Sequence, residues 1–195
     1  MSSRTPPRQE RSRAKREQIL ATTAALLTER PYHEIGTKLI AERSGVAVGS
    51  LYRYFADKSE ITHALVLRWL DRMLAVLDTA LTRPPRRPET LIDRIVDAYA
   101  EFYRSEPGFH QVWFVGGTAV HLAREVSDAH DEEIAGRIRG ALADRYGVAV
   151  SRRQARVAVS VGDCLLSEAF RDDPAGDAGI LTELKRVLAR YLLPG

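Results

Sequence analysis

The sequence predicts an all-α protein of about nine helices, with an N-terminal three-helix unit followed by a larger helical domain. Three observations predict it. Apolar residues recur at three- and four-residue spacings along most of the chain. No alternating strand pattern of convincing length interrupts them. Proline and glycine punctuate the pattern at Pro31, Gly45, Pro84-Pro85, Pro107-Gly108 and Gly147, where helices would stop.

The first helix is predicted over about residues 11–29. Leu20, Ala24 and Leu27 fall at i, i+4 and i+7, with Ile19 and Leu26 beside them, and Pro31 ends the run. Thr37 is a candidate cap for the second helix, whose apolar side holds Leu39, Ile40 and Ala41. Gly45 follows Ser44 where a left-handed turn residue is wanted. The third helix is predicted over residues 48–54, with Leu51 and Phe55 inward. Asp57 opens a fourth, and Glu60 stands three residues later as in a capping box. That helix runs to about Leu81, roughly 35 Å at 1.5 Å per residue. It is apolar on more than one face, as a connector between two packed units would be.

The run Arg83-Pro84-Pro85-Arg86-Arg87-Pro88 breaks the pattern. Beyond it, Leu91, Ile92, Ile95, Val96, Tyr99, Phe102 and Tyr103 form a wide helical stripe that Pro107-Gly108 stops. A short aromatic segment and Gly116-Gly117 follow. Residues 118–127 and 131–146 read as two helices. Ser151 with Gln154 repeats the capping-box spacing and opens an apolar helix to Phe170. A polar loop separates it from a last helix over about residues 180–193. The domain reading is a flexible basic arm at 1–12, a helical unit at 13–73 and a larger helical domain at 74–195.

Charge is placed unevenly. The net charge of the 195 residues is +3, yet residues 1–60 carry 11 Lys/Arg against 7 Asp/Glu, and the remainder 18 against 19. An excess confined to one end suits a polyanion there. The arm holds Arg4, Arg8, Arg11, Arg13, Lys15 and Arg16 against Glu10 alone, as an extension along phosphates or a minor groove would. A solvated tail reads equally well for Arg4 and Arg8. The single cysteine, Cys164, allows no intrachain disulfide and fits a reducing cytoplasm; it reads as a small buried hydrophobe. No apolar run is long enough to cross a membrane, and the N-terminus lacks the apolar core of a signal peptide. A cytoplasmic protein is expected.

Residues 36–55 have the layout of a helix-turn-helix: a positioning helix, the Ser44-Gly45-Val46 turn, and a second helix with residues to spare for a major groove. Ala47, Val48, Gly49, Ser50, Tyr52 and Arg53 are not needed for a core. Small residues at 47, 49 and 50 admit close approach to base edges, and Ala47 and Val48 suit thymine methyls. Ser50 suits a base or a phosphate, and Arg53 either reads guanine or clamps a phosphate. A helix-glycine-helix pattern also occurs in ordinary bundles. Tyr52, Tyr54, Lys58 and the basic arm are what a plain bundle core does not explain.

This segment resembles the N-terminal domain of the TetR (tetracycline-repressor) family of bacterial transcription regulators. The matching positions are Thr37, Ile40, Ala41, Gly45, Val46, Gly49, Ser50, Leu51, Tyr52, Tyr54, Phe55 and Lys58. The resemblance implies that Thr37, Tyr54 and Lys58 hold phosphates; Arg11, Arg13 and Arg16 are expected as further contacts from the charge of the arm alone. The chain departs at Ala47-Val48, where family members often carry Ser-Lys. Its recognition helix thus lacks a hydroxyl cap and a basic contact.

The resemblance also implies a C-terminal domain for dimerisation and ligand sensing. Ala155, Ala158, Val159, Gly162, Leu165, Leu166 and Ala169 share one face of small and apolar residues. With Leu184 and Leu188 of the last helix they make a candidate interface for a two-fold four-helix bundle; packing within one chain is the alternative. Tyr99, Phe102, Tyr103, Phe109, His110, Trp113, Phe114 and His121 are candidate walls of a pocket for a small hydrophobic or aromatic effector, or else core. His121, Asp128, His130, Asp131 and Glu132 lack a recognised metal-ligand spacing, so no metal and no cofactor are expected. No nucleophile-and-base motif or phosphate loop is evident, so no enzyme is expected. The reading is a homodimeric regulator, most simply a repressor, released from a palindromic DNA operator by a small molecule. The alternatives are an architectural DNA-binding protein without effector and a helical enzyme with a basic tail.

Overall fold

The computed structural model describes the backbone of residues 8–112 and 120–194, and the side chains of residues 9–109, 111–112 and 128–194. Among them nine α-helices and one 3-10 turn occur, and no strand. The helices are α1 (Arg8–Glu29), α2 (Thr37–Arg43), α3 (Val48–Leu51), α4 (Lys58–Leu81), α5 (Pro88–Ser105), α6 (Pro107–His110), α7 (Val120–Tyr146), α8 (Arg152–Ala169) and α9 (Ala178–Leu192).

The first four helices close on a small core. Ile19, Leu20, Leu26 and Leu27 of α1 meet Ile40 and Ala41 of α2, Leu51 of α3, Phe55, and Ile61 and Leu65 of α4, all essentially inaccessible. Each such aliphatic side chain stabilises the fold by about 1.5–3 kcal/mol relative to exposure. The expected inward faces of Leu51 and Phe55 are therefore present. Half of the expected capping box forms: Asp57 Oδ1 accepts from the Glu60 amide at 2.8 Å, but Glu60 Oε2 accepts from the amide of Ala56, one residue before the cap, at 2.5 Å. Ser151 and Gln154 make the full reciprocal pair at the start of α8.

Five local expectations are corrected. α1 begins at Arg8, so residues 8–12 of the expected arm are helical. Gly36, not Thr37, is the N-cap of α2, and Thr37 is its first residue. α3 is shorter than expected, ending at Leu51, because Phe55 must turn back into the core. α7 is one helix where two were expected. Its polar stretch around residues 128–133 contains no Gly or Pro, and Asp128 and Glu133 are exposed while His130 and Ile134 are buried. Cys164, expected inside, is exposed.

α4 reaches both halves of the molecule. Its N-terminal turns complete the first core, and Trp69, Leu70, Met73 and Leu77 enter the second beside α5 and α7. Trp69 Nε1 donates to Glu106 Oε2 at 2.8 Å, and Arg72 pairs with the other oxygen of that carboxylate. Trp69 also meets the Phe109 ring edge-on, with centroids 5.6 Å apart. Glu106 and Phe109 bracket the short helix α6, which rests on α1. α5, α7, α8 and α9 pack around the second core.

Candidate nucleic-acid interface and interior cavity

The turn between α2 and α3 is fixed from several sides. Gly45 has φ +64°, in the left-handed region that favours glycine. Ser44 is buried; its Oγ donates to the Ile40 carbonyl at 2.6 Å. The Val46 amide donates to the Ala41 carbonyl at 3.0 Å. Gln18 of α1 donates from Nε2 to the Ser44 carbonyl at 2.9 Å, tying the turn to the first helix. That link carried no recognisable sequence signal.

With Leu51 buried, the other side of α3 faces out. Ala47, Val48, Gly49, Tyr52 and Arg53 are exposed and Ser50 is half-buried. Val48 and Tyr52 are 40% and 51% exposed, one helical turn apart, and are among the few large apolar side chains left outside. A Cβ on Gly49 would meet nothing within 4 Å. Its missing side chain therefore serves no packing within the chain, and it leaves a flat place beside Val48 and Tyr52. Thr37 Oγ1 and Tyr52 Oη lie 3.1 Å apart in a hydrogen bond, so the first residue of α2 steadies the last exposed ring of the reader.

The flanking groups are placed as follows. The Arg53 guanidinium lies over the Tyr54 ring, 5.9 Å from its centroid, and Tyr54 is half-buried against the core. Lys58 is the first residue of α4, yet its Nζ donates to the Tyr32 carbonyl at 3.1 Å and sits 3.9 Å from the Tyr32 ring centroid. Desolvation lowers its pKa from the ordinary lysine value. Tyr32, missed at the level of sequence, is thus the resting partner of Lys58. Arg11, Arg13 and Arg16 are exposed on α1, with Arg16 stacked 4.9 Å from the Phe55 ring centroid, beside the reader. Arg4 lies outside the described residues.

In the second domain, a narrow cavity of about 60 Å³ lies between α5, α7, α8 and α9. α5 contributes Ile92, Ile95, Val96 and Tyr99; α7, Ile134 and Ile138. α8 contributes Ala158, Val159, Gly162, Asp163 and Leu166; α9, Leu184, Leu188 and Leu192. A smaller cavity adjoins it, sharing Ile134 and Asp163 and adding Leu70, Met73, Tyr103, Phe109, His130 and Asp131. Burial, then the charge of Asp131, pushes the Asp163 carboxyl up to about 7. Burial pushes Asp131 up to about 6, against the pull of Arg156 and with Asp128 and Glu132 adding to the rise. Burial lowers the pKa of His130.

Of the expected pocket residues, Tyr99 lines the main cavity, and Tyr103 and Phe109 line the smaller one. Phe102 belongs to an aromatic cluster with Tyr103 and Phe109, and Phe170 lies against Tyr103. Trp113, Phe114 and the side chains of His110 and His121 lie outside the described residues. The expected interface face turns inward instead. Ala155, Ala158, Val159, Leu166, Ala169 and Leu184 are buried within the chain, Gly162, Leu165 and Leu188 partly so. An amphipathic stripe must cover a core, and here the core is the chain's own. Val157 of α8 and Val187 and Tyr191 of α9 stay exposed on these two helices. Among the described residues no group of three or more His, Cys, Asp or Glu is placed to hold a metal. No described helix is long and apolar enough to cross a membrane.

Comparison with known proteins agrees with this arrangement. Residues 19–65 match the profile described as "Bacterial regulatory proteins, tetR family", and residues 87–192 that of "Tetracyclin repressor-like, C-terminal domain". The HTH-type transcriptional repressor KstR of Mycolicibacterium smegmatis is 37% identical over 71 residues, 36% of this chain and 35% of that protein. The nucleoid occlusion factor SlmA of Haemophilus ducreyi is 29% identical over 99 residues, 50% of this chain and 48% of that protein. The chain thus matches between a third and a half of the length of these relatives. A TetR-family regulator from Streptomyces coelicolor superposes with a TM-score of 0.69 at 30% identity, covering 91% of this chain and 97% of that one. The fatty acid degradation regulator FadR of Bacillus halodurans shares the fold, with a TM-score of 0.73 at 19% identity over 99% of this chain and 98% of that one. With its reader at the N-terminus and a matching C-terminal domain, the chain belongs to the TetR family of DNA-binding transcriptional regulators.

Proposed function

We propose that the protein is a homodimeric repressor that reads a palindromic operator through residues 47–53 and is released by a small molecule in its C-terminal cavity. The observation that carries this is the outward surface of α3: Val48 and Tyr52 exposed around Gly49, on a turn locked by Gly45 and Gln18. A rigid, partly apolar helix surface fits a major groove. Thr37, Tyr54, Lys58 and the arginines of α1 flank it as phosphate contacts. Symmetric readers need two half-sites about one helical turn of DNA apart, or a multiple. The exposed Val157, Val187 and Tyr191 support pairing through the outer sides of α8 and α9. Release is a population shift: an effector lowers occupancy from nearly full to nearly empty if it prefers the released form by roughly 5 kcal/mol. α4 and α6 join the cavity walls to the reader.

Selection of bound fragments from random duplex DNA tests the reading. Enrichment of a two-fold symmetric motif is the expected result. Enrichment of an asymmetric motif, or of none, would overturn it.

A further inference from the structure

We propose that the interior cavity takes an elongated apolar molecule ending in a protonated amine, with the ammonium held at Asp163 and Tyr99 and the tail running between α5 and α9. The proposal rests on the effector-binding reading and specifies the chemistry of the effector.

Shape is the first argument. One side of the cavity runs along α5 from Ile92 to Tyr99 and another along α9 from Leu184 to Leu192. At 1.5 Å per residue each wall is roughly 10 Å long. The described lining is aliphatic along this length, with Tyr99 and Asp163 as its polar members. A straight hydrocarbon fits the walls, and one polar group fits the remaining place.

The second argument is an unmet hydrogen bond. Tyr99 is only 7% exposed, and its hydroxyl has no partner among the described residues. Buried hydroxyls without a partner are rare and costly. The Nε2 of His130, in the adjoining cavity, is also buried and unpaired among the described residues.

Charge decides the class of head group. Asp163 and Asp131 face this interior, and among the described residues no Lys or Arg lines either cavity. The cations nearby are already engaged. Arg137 pairs with Asp78 and Glu133, Arg156 with Asp128 and Glu132, and Lys185 of α9 with Asp97. Among the described residues, Tyr103 of α5 and His130 of α7 also line the smaller cavity and Asp71 of α4 acts on His130; none of the three is a cation at neutral pH. A carboxylate ligand would place its charge against two acids that burial already disfavours as anions, with no Lys or Arg among the described lining residues to pair it. An alcohol could satisfy Tyr99 but would leave the two acids uncompensated. An ammonium supplies the missing charge and donates to both Asp163 and Tyr99. Burial raises Asp163 to about 7, so below that pH the arriving cation displaces a proton to solvent.

Three ligands with one tail test this: decylamine, decan-1-ol and decanoate. Each is titrated calorimetrically into the full chain below its aggregation concentration. Decylamine should bind roughly tenfold to a hundredfold more tightly than decan-1-ol, and decanoate most weakly. In Asp163→Asn the preference for amine over alcohol should collapse, and in Tyr99→Phe it should narrow. Equal or tighter binding of decanoate, no preference for the amine, or no binding of any of the three overturns the proposal. So does an amine preference that survives in a folded Asp163→Asn. The ranking by the unaltered chain decides the matter if that variant does not fold. A parallel titration on selected operator DNA separates the two readings. Amine binding without release of DNA removes the effector role alone, whereas release by other compounds, with no amine preference, removes the head-group assignment alone.

Discussion

Gly108 and Leu27 stand so close that nothing larger than hydrogen fits between them: a Cβ on Gly108 would lie 2.8 Å from Leu27 Cβ and 3.1 Å from the Ala24 carbonyl oxygen. Gly108 belongs to α6 of the second domain, Leu27 to α1 of the reader. Neither obstructing atom is the free end of a flexible side chain, so a methyl group must displace one helix from the other. Gly108→Ala should cost about 1–3 kcal/mol of stability through overpacking and weaken operator binding. Thermal melts and DNA titrations check both, and unaltered DNA affinity would show that the two domains tolerate displacement at this contact.

Lys58 rests on Tyr32 and must share or leave that carbonyl to reach a phosphate. Lys58→Ala should weaken binding to all duplexes alike and reduce the salt slope by about one. Tyr54→Ala should weaken binding alike without that change in slope. A shift in base preference in either variant would contradict a backbone role.

Arg53 stacks on Tyr54 at the edge of the exposed α3 surface. If it reads a base, Arg53→Ala should relax preference at one operator position, by about 1–3 kcal/mol. Uniform weakening across a single-substitution operator panel would reassign it to the phosphates.

Asp163 makes stability depend on pH in a defined direction. In the unfolded chain the carboxyl ionises near its ordinary 3.8; in the fold, near about 7. Between those values the folded protein holds a proton that the unfolded chain has lost. Stability therefore falls as pH rises through this window and levels off above about 7. Asp131, raised to about 6, acts in the same direction, while His130, lowered by burial, opposes them near its ordinary 6.5. Asp163→Asn should raise Tm at pH 8 more than at pH 5. A difference that does not vary with pH would exclude a raised pKa at this position.

The outer sides of α8 and α9 give a further test. Val157→Asp with Tyr191→Asp should shift sedimentation from dimer to monomer. Gly162→Leu, whose side chain enters the cavity, should leave the dimer intact. The opposite pattern would return the interface to the face first expected from sequence.

The reader was legible in sequence because its determinants are local. Gly45 is needed by one turn, Asp57 and Glu60 cap one helix end, and Leu51 and Phe55 stand four residues apart on one inward side. The second domain was less legible because an apolar stripe states that a face is covered but not by what. Ala155, Ala158, Val159 and Leu166 suit a partner helix as well as a cavity wall, and only the packing of α5, α7 and α9 assigns them. Asp163 gave no sequence signal, since a lone acid between Gly162 and Cys164 reads as solvent-facing.

Trp69 touches Phe109 by its ring edge and Glu106 by its indole nitrogen, so it lies where α4 and α6 meet. With only two tryptophans in the chain, a Trp113→Phe protein would fluoresce from this junction alone. Any movement of α6 that accompanies ligand arrival or operator departure would then be visible as a shift in ultraviolet emission, without dye or label.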